Sequence, residues 1–472
     1  MNEKPKRILF LDFMRVLALF MMIQGHTTYD FLDLAIRDGK SAGINLWTSF
    51  RGYTAPFFMM VSGTVFTFLM LSQERIDGSN PRMKAGAKRI VTLLFWGYLL
   101  NFPLYVIGKI FTKEGFNQFL NVGVGQTFLT IFGIAAALYL FKSLTNENED
   151  EKQGIMKKIF KKDALNHMKF REKLFNKDFF TNEYRKKRLF SSFFYAVIIS
   201  IPFLIISNLL NVEEKQRALR VDVLHIIAIG LLTIMVLYSI SKHRKWIFGT
   251  LNFIFLIVII SLFPILHNVD YSHLPIFVAP YLNDFGTKSM FPLTPWLAYI
   301  FAGALLGLWL AGEVKKPKFD LIIGFKLAAI GIAFLLISKI GLAFEVYLYG
   351  KSYFWHDSPN LIYHRFGIVM CVGSFMAFLS LYFKDMPTFM KQMSRNTLWL
   401  YVGHLIIIYQ IVKPMIGYKT RFSVPVVLLL VAGMFILMYL QTQVIIYVQK
   451  KGGYVPMVKS WFKKSHIEPL EK

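Results

Sequence analysis

Apolar stretches of about 20 residues recur along the whole chain and are separated by short polar segments. A stretch of that length crosses a bilayer as an α-helix, because a helix satisfies every backbone hydrogen bond within one segment. The pattern therefore predicts an all-α, polytopic bundle of about 10–12 transmembrane helices. We predict twelve spans, at residues 8–27, 47–71, 88–108, 120–141, 189–210, 221–240, 246–266, 291–310, 321–344, 361–383, 397–415 and 424–448.

Lysine and arginine are unevenly distributed over the segments between these spans. The segments on the N-terminal side of the membrane hold more of them, with or without the long segment 142–188. Positive charge marks cytoplasmic segments, so we predict that both termini are cytoplasmic. The chain begins like a signal peptide, but its apolar run reaches Thr27 with Arg15 inside it and no A-x-A site follows. We therefore expect a retained first span.

The composition agrees with a membrane protein and adds two points, one on net charge and one on cysteine content. The 472 residues are 55% hydrophobic, with a formal net charge of +26 and a mean hydropathy of +0.46. In a soluble protein such a charge indicates nucleic-acid binding, but here the loops on one face account for it, and we expect no nucleic-acid partner. Cys371 is the single cysteine, which excludes an intrachain disulfide and a cysteine metal cluster.

The chain divides into a membrane domain at 1–448, which carries a basic insertion at 142–188, and a basic cytoplasmic tail at 449–472. The insertion begins with NENEDE and then places isoleucine and phenylalanine among lysines. That spacing fits an amphipathic helix on an anionic membrane surface, and it also fits a solvated linker. Both interpretations stay open.

Two ionisable residues lie inside the first apolar stretch, FMRVLALFMMIQGH, with ten residues between them. An ionisable side chain costs about 2.5–3.5 kcal/mol at the centre of a spanning helix, so Arg15 and His26 indicate function. Eleven steps along a helix separate them by roughly 16 Å. This layout suits a long anionic ligand that enters near Arg15 and reacts near His26.

Carboxylates accompany this histidine: Asp12 precedes it in the same helix, and Asp30 and Asp33 follow it. A neutral imidazole is a natural general base for a hydroxyl or an amine, and a neighbouring carboxylate fixes its tautomer. We therefore predict that His26 is catalytic with Asp30 beside it. The alternative is a polar residue at the membrane interface.

Two further basic features have competing interpretations. Arg51, at the start of the second span in FRGYTAPFFMMVSG, is either an interfacial anchor or an oxyanion partner in the catalytic site. PRMKAGAKRI places Lys88 and Arg89 near Arg82 and Lys84 at the third span. This cluster suits the phosphates of a nucleotide, although from the sequence alone ordinary cytoplasmic charge is the favoured explanation.

Polar residues also interrupt two later spans. RVDVLHIIAIGLL places Asp222 and His225 three residues apart, on one helical face, and RNTLWLYVGHLIIIY places Asn396 and His404 in the eleventh span. His225 and His404 lack the spacing of a known metal motif, so we expect no metal. Each is a further candidate for the site, and hydrogen-bonded packing is the competing interpretation.

The residues just quoted resemble the transmembrane acyltransferase superfamily. FMRVLALFMMIQGH resembles the first helix of the acyltransferase type 3 family, with its arginine, ten-residue gap and histidine, and RGYTAPFFMMVSG resembles the segment that follows. RVDVLHIIAIGLL and FPLTPWLAYIFAGALLG resemble helices of the heparan-alpha-glucosaminide N-acetyltransferase catalytic-domain family. RNTLWLYVGHLIIIY resembles a late helix of both families. The landmarks appear in order over residues 7–409.

The resemblance implies acyl transfer from acyl-CoA, most simply acetyl-CoA, on the cytoplasmic side to a carbohydrate or glycolipid on the far side. His26 would be the catalytic histidine and Arg15 would hold the donor. Lys88 and Arg89 offer a partial match to two arginines near the third helix of the type 3 family. Direct attack in a ternary complex and a covalent acyl-histidine route both remain open.

Two other classes of function compete with the acyltransferase. In a transporter or flippase for an anionic or lipid-linked sugar, a permeation path would be lined by buried charges, namely Arg15, Arg51, Asp222, Lys326 and Arg365. The third class is a structural protein of the envelope without activity. The short loops favour the inner membrane of a bacterium. The sequence does not distinguish an amine from a hydroxyl acceptor.

Overall fold

A computed structural model of the chain describes residues 8–39, 41–73, 80–102, 210–241, 244–271, 273–284, 288–352, 354 and 358–450, with six single positions between 131 and 197. The predicted spans at 120–141 and 189–210, the insertion 142–188 and the tail 449–472 lie almost wholly outside these residues. Those predictions stay predictions.

The described residues form helices and a single β-bridge, between Leu32 and Phe422. The helices are α1 Leu9–Phe31, α2 Leu34–Arg37, α3 Ala42–Ser72, α4 Pro81–Asn101, α5 Val212–Ala218, α6 Val223–Ile240, α7 Lys245–Leu266, α8 Ala279–Leu282, α9 Leu293–Glu313, α10 Phe319–Tyr349, α11 Pro359–Ser380, α12 Thr388–Arg395, α13 Thr397–Ile406 and α14 Val424–Lys450. A π-helix at Ile407–Val412 and a last helical turn at Lys413–Ile416 continue α13.

Nine of the described helices are long and apolar enough to cross a membrane: α1, α3, α6, α7, α9, α10, α11, α13 with its continuation, and α14. Each matches a predicted span, which confirms the all-α polytopic fold. The predicted third span corresponds to α4, which begins earlier than expected. Asn80 caps α4 through the backbone N–H of Arg82, and Pro81 fits the first turn because it has no N–H to lose. Lys88 and Arg89 therefore lie inside the helix.

The chain forms two compact units. The first comprises Met1–Leu69, Ile240–Asn268 and Leu293–Lys472, and the second comprises Met70–Ser239 and Val269–Pro292. In the first unit α10 packs along α11, α7 packs against α9, and α1 contacts α11, α12, α13 and α14. Its largest core cluster joins α1 to the C-terminal helices through Leu19, Ile23, Phe31, Leu400, Ile408, Met434 and Met438.

Small residues let α3 and α9 approach closely within the first unit. A Cβ on Gly63 would collide with the backbone carbonyl of Ile300, and one on Gly303 would collide with the carbonyl of Met60. Close backbone approach at glycine is a common way for spanning helices to associate, since lipid gives no hydrophobic driving force between them. This contact holds the helix that carries Arg51.

The second unit includes α4, α5, α8 and most of α6. Met290 donates its backbone N–H to the carbonyl of Val221, and Lys288 forms an ion pair with Glu213 of α5. These contacts fasten the segment 269–292 to the start of α6.

Candidate active site

The first helix carries both predicted functional residues, and it is longer than predicted. Arg15 and His26 are half-buried on α1, which continues to Phe31 instead of ending at Thr27. Because of this extra turn, Asp30 lies four residues after His26 and on the same face of the helix. Asp33 is beyond the helix and caps α2 by accepting the backbone N–H of Ala35 at 2.9 Å. Asp33 therefore caps a short helix and is not part of the candidate site.

A hydrogen-bonded chain links His26 to Asp30 through a third residue. His26 Nδ1 lies 3.4 Å from the hydroxyl oxygen of Tyr409, and that hydroxyl donates to Asp30 Oδ2 at 2.5 Å. The imidazole and phenol rings meet edge to face, with centroids 6.3 Å apart. The carboxylate therefore reaches His26 indirectly, whereas the sequence predicted only that it lay nearby.

A π-helix carries Tyr409: it spans Ile407–Val412 and directly follows the α-helical turn that holds His404. π turns inside α-helices are frequent at functional sites. Both side chains contact α1, since the ring of His26 has its centroid 5.4 Å from that of His404 and 6.3 Å from that of Tyr409.

His404 is fully buried and has a defined tautomer. Its Nδ1 donates to the carbonyl of Leu400 at 2.9 Å, so Nε2 carries the lone pair. This Nε2 atom has no hydrogen-bond partner within the described part of the chain. Tyr401 packs edge to face on the ring, at 5.4 Å between centroids. His404 is thus a neutral acceptor beside His26.

A buried lysine, Lys413, contacts the C-terminal end of α1. Lys413 is 2% exposed. Its ammonium group donates to the backbone carbonyl of Asp30 at 2.6 Å and to that of Tyr418 at 3.2 Å, and lies 4.8 Å above the ring of Phe31. A cation at this place is favourable, because the last carbonyls of a helix have no partner within it and carry partial negative charge.

Arg51 of α3 lies beside the same end of α1. Its guanidinium stacks on Tyr29 at 4.0 Å from the ring centroid, and its Cγ approaches the Cα hydrogens of Gly25, the residue before His26. Arg37 covers the same tyrosine ring at 4.5 Å. Among the described residues Arg51 forms no ion pair with a carboxylate, so its N–H donors stay available to a ligand.

Arg15 has a different setting near the start of α1. It forms an ion pair with Asp12 at 3.5 Å, and the same carboxylate accepts the hydroxyl hydrogen of Ser394 at 3.1 Å. Since Asp12 meets Ser394 and His26 meets Tyr409, α1 and the segment 394–409 run side by side in the same direction. The apolar side chains of Leu19 and Leu400 lie in the core between these two polar contacts.

The basic cluster of α4 belongs to the second unit. Lys84, Lys88 and Arg89 are exposed, and Arg82 donates to the side chain of Gln73 at 2.7 Å. Exposure leaves these cations accessible to a ligand or to lipid phosphates. Their predicted role in donor binding stays a prediction.

The second unit also contains the buried pair predicted from RVDVLHIIAIGLL. His225 Nδ1 lies 2.8 Å from Asp222 Oδ1, and the imidazole is wholly buried. Asp222 additionally accepts the backbone N–H of Leu224 and thus caps α6, while its other oxygen accepts from Asn101. The ring rests on Gly97, where a Cβ would lie 2.7 Å from it.

Outside the spanning helices, ion pairs shift the pKa values of three charged groups. Arg37 donates to Asp38, which lowers the pKa of that carboxyl group and raises the pKa of Arg37. The hydrogen bond from Lys288 lowers the pKa of Glu213. These contacts order loops and have no part in the His26 chain.

No group of three or more histidine, cysteine, aspartate or glutamate side chains suited to a metal occurs in the described ranges. Lys326, proposed above for a permeation path, is exposed and pairs with Glu313 at 3.1 Å. Arg365 stacks on Trp296 at 5.6 Å from the ring centroid.

Sequence reasoning missed Tyr409 and Lys413. Tyr409 was the last residue of a quoted stretch, and Lys413 interrupts the eleventh span as its one cation. The position of Lys413 inside an apolar segment was the signal that could have identified it, because a charged side chain in a membrane span costs free energy and is usually functional.

Comparison with known families gives one clear result. The family model described as heparan-alpha-glucosaminide N-acetyltransferase, catalytic, matches residues 7–119 and 105–349, which together exceed half of the chain. The match includes Arg15, His26, Asp30 and Arg51, whereas Tyr409 lies beyond it. No curated protein and no solved structure matches the chain.

Proposed function

The chain belongs to the heparan-alpha-glucosaminide N-acetyltransferase catalytic-domain family, and from this we propose that it is a membrane acetyltransferase that uses acetyl-CoA, with His26 as the general base. The acceptor is a hydroxyl or amine of a carbohydrate or glycolipid. We place the enzyme in a bacterial inner membrane with both termini in the cytoplasm. The charge distribution and the short loops support this placement.

The chain of contacts from His26 through Tyr409 to Asp30 carries this proposal. Since Tyr409 gives its hydrogen to Asp30, its oxygen keeps lone pairs that accept Nδ1–H of His26. The neutral imidazole then has its lone pair on Nε2. An imidazole with a fixed tautomer and a carboxylate behind it is the arrangement that general-base catalysis requires.

The reaction follows from that tautomer. His26 Nε2 accepts the proton of the acceptor as its oxygen or nitrogen bonds to the thioester carbon of acetyl-CoA. The tetrahedral intermediate then expels the CoA sulfur, which takes the proton from His26 and leaves as free CoA. A covalent route would use the same Nε2 atom as nucleophile, with the acetyl group resting on His26 before transfer.

Arg51 supports the developing negative charge in this scheme. Its guanidinium is held beside α1 by Tyr29 and has no carboxylate partner among the described residues. Donors placed where an oxyanion forms stabilise the transition state more than the ground state. We therefore assign Arg51 to the carbonyl oxygen of the thioester.

Donor binding is assigned to Arg15 in the first unit, and the exposed Lys88 and Arg89 of α4 in the second unit remain separate candidates proposed from the sequence. Arg15 lies roughly 16 Å along α1 from His26, which suits a donor whose arm runs along the helix. Asp12 and Ser394 hold Arg15 in place. Lys88 and Arg89 offer point-charge and paired-donor contacts to nucleotide phosphates.

The test separates donor binding from proton transfer. The full-length protein, purified in detergent, is incubated with radiolabelled acetyl-CoA and a panel of amino and hydroxy sugars, and its melting temperature is recorded with and without acetyl-CoA. We expect His26→Gln to lose about 10²- to 10⁴-fold in transfer rate while acetyl-CoA still raises its melting temperature. His267→Gln, a histidine just beyond α7, is the matched control.

Full activity in His26→Gln would overturn the assignment of the base. Movement of a sugar across a vesicle membrane without release of CoA would favour a transporter instead of an acetyltransferase.

A further inference from the structure

Lys413 has contacts that the proposed reaction does not yet use. Its ammonium group is buried within a span, where an unpaired charge is costly. The contacts that compensate for burial are the two backbone carbonyls and the ring of Phe31 described above. One of those carbonyls belongs to Asp30, the residue whose side chain accepts from Tyr409.

The same stretch of chain holds the neighbouring carbonyl of α1. Phe422 donates its N–H to the carbonyl of Phe31 at 2.7 Å and accepts the N–H of Asp33 at 3.0 Å. The end of α1 is therefore held at Asp30 and just beyond it by residues that follow Tyr409 in sequence. Lys413 is one helical turn from Tyr409, so one short segment fixes both the backbone and the carboxylate of Asp30.

We propose that Lys413 is a positioning residue for acetyl transfer: its ammonium group holds the backbone of Asp30 so that the carboxylate meets Tyr409 and orients His26. This inference rests on the proposed function. Lys413 touches neither donor nor acceptor and acts only through Asp30.

The experiment compares Lys413→Met, which removes the charge and the hydrogen bonds, with Lys413→Arg, which keeps both. Lys413→Gln supplies a neutral polar variant if the methionine protein does not fold. Lys391→Met removes a lysine paired with Asp385 on α12 and is the matched control. The kcat, the KM for acetyl-CoA and the melting temperature are recorded for each protein.

We expect Lys413→Met to lower kcat about tenfold or more while KM for acetyl-CoA stays within about twofold, because the donor is not touched. Lys413→Arg restores most of kcat, because it keeps the charge and the hydrogen bonds to the backbone. A wild-type kcat in Lys413→Met would overturn the inference, as would equal losses in both variants with a lowered melting temperature.

Chemical modification separates this inference from the proposed function. Diethyl pyrocarbonate reacts with imidazole, and mass spectrometry follows the rate of its addition to His26 without any acceptor. If His26→Gln is fully active, the proposed base is wrong, yet a changed rate of modification of His26 in Lys413→Met, restored in Lys413→Arg, would still support the positioning role. An unchanged rate of modification would overturn that role independently of activity.

Discussion

Tyr409 donates its hydroxyl hydrogen to Asp30 at 2.5 Å although 379 residues separate the two in sequence. The contact joins the last turn of the first helix to the π-helix near the end of the chain. It gives His26 a carboxylate partner through one phenol, and it lies on a helix beyond the region that matches the family. His26 thus has a hydrogen-bond partner that family membership alone does not identify.

The first prediction concerns this phenol. Tyr409→Phe keeps the ring and removes the hydroxyl, so His26 loses the partner of Nδ1 and Asp30 loses its donor. A hydrogen bond to a charged group contributes about 1.5–3 kcal/mol, which corresponds to a loss of roughly 10- to 100-fold in kcat. Steady-state transfer assays measure this loss, and Tyr382→Phe, an exposed tyrosine, is the control. Unchanged kcat would show that Tyr409 has only a packing role.

The second prediction concerns the donor. Arg15→Gln removes the charge beside Asp12 and Ser394 without touching the His26 end of α1. We expect the affinity for acetyl-CoA to fall about tenfold, the value for one charge-assisted hydrogen bond, with kcat at saturation much less affected. Isothermal titration with acetyl-CoA measures the affinity. Arg217→Gln, which breaks an exposed ion pair on α5, should bind like the wild type; equal affinities in all three proteins would remove Arg15 from the donor site.

The third prediction concerns the packing of α3 against α9. Gly303→Ala places a methyl group against the carbonyl of Met60 and should destabilise the protein by about 1–3 kcal/mol, as other overpacked sites do. Gly312→Ala on the same helix meets no atom within 4 Å and should leave stability nearly unchanged. Thermal unfolding in detergent compares the two variants. A melting temperature for Gly303→Ala equal to that of Gly312→Ala would mean that the helices separate at little cost.

The fourth prediction concerns the buried pair of the second unit. Asp222→Ala removes both the cap of α6 and the acceptor for His225, so we expect a loss of about 1–3 kcal/mol in stability. Asp222→Asn keeps an oxygen for the cap and should lose less. The rate of hydrogen exchange at the backbone N–H of Leu224 measures whether this capping hydrogen bond is present. Identical exchange in wild type and Asp222→Ala would show that the carboxylate does not cap the helix.

The sequence was sufficient for the membrane class and for most of the helices, because lipid requires long apolar segments whose backbone is satisfied internally. It also singled out His26 and Arg15 as candidates, since a charged residue in an apolar stretch is costly and therefore conspicuous, and their roles stay predictions. The Asp222–His225 contact followed from helical spacing alone. Local periodicity fixed each of these results within a single helix.

Tertiary structure decided what surrounds His26. The extra turn of α1 places Asp30 on the face of His26, and a π-helix, which an α-helical pattern does not predict, carries the Tyr409 that contacts both side chains. In the sequence Lys413 is a single charge near the end of a span. In the structure its ammonium group donates to the backbone carbonyl of Asp30, in the last turn of α1. Contacts between segments hundreds of residues apart depend on how helices pack, and hydrophobic periodicity specifies only which face of a helix is apolar. The sequence therefore determined which residues are chemically unusual, and the packing determined which of them meet.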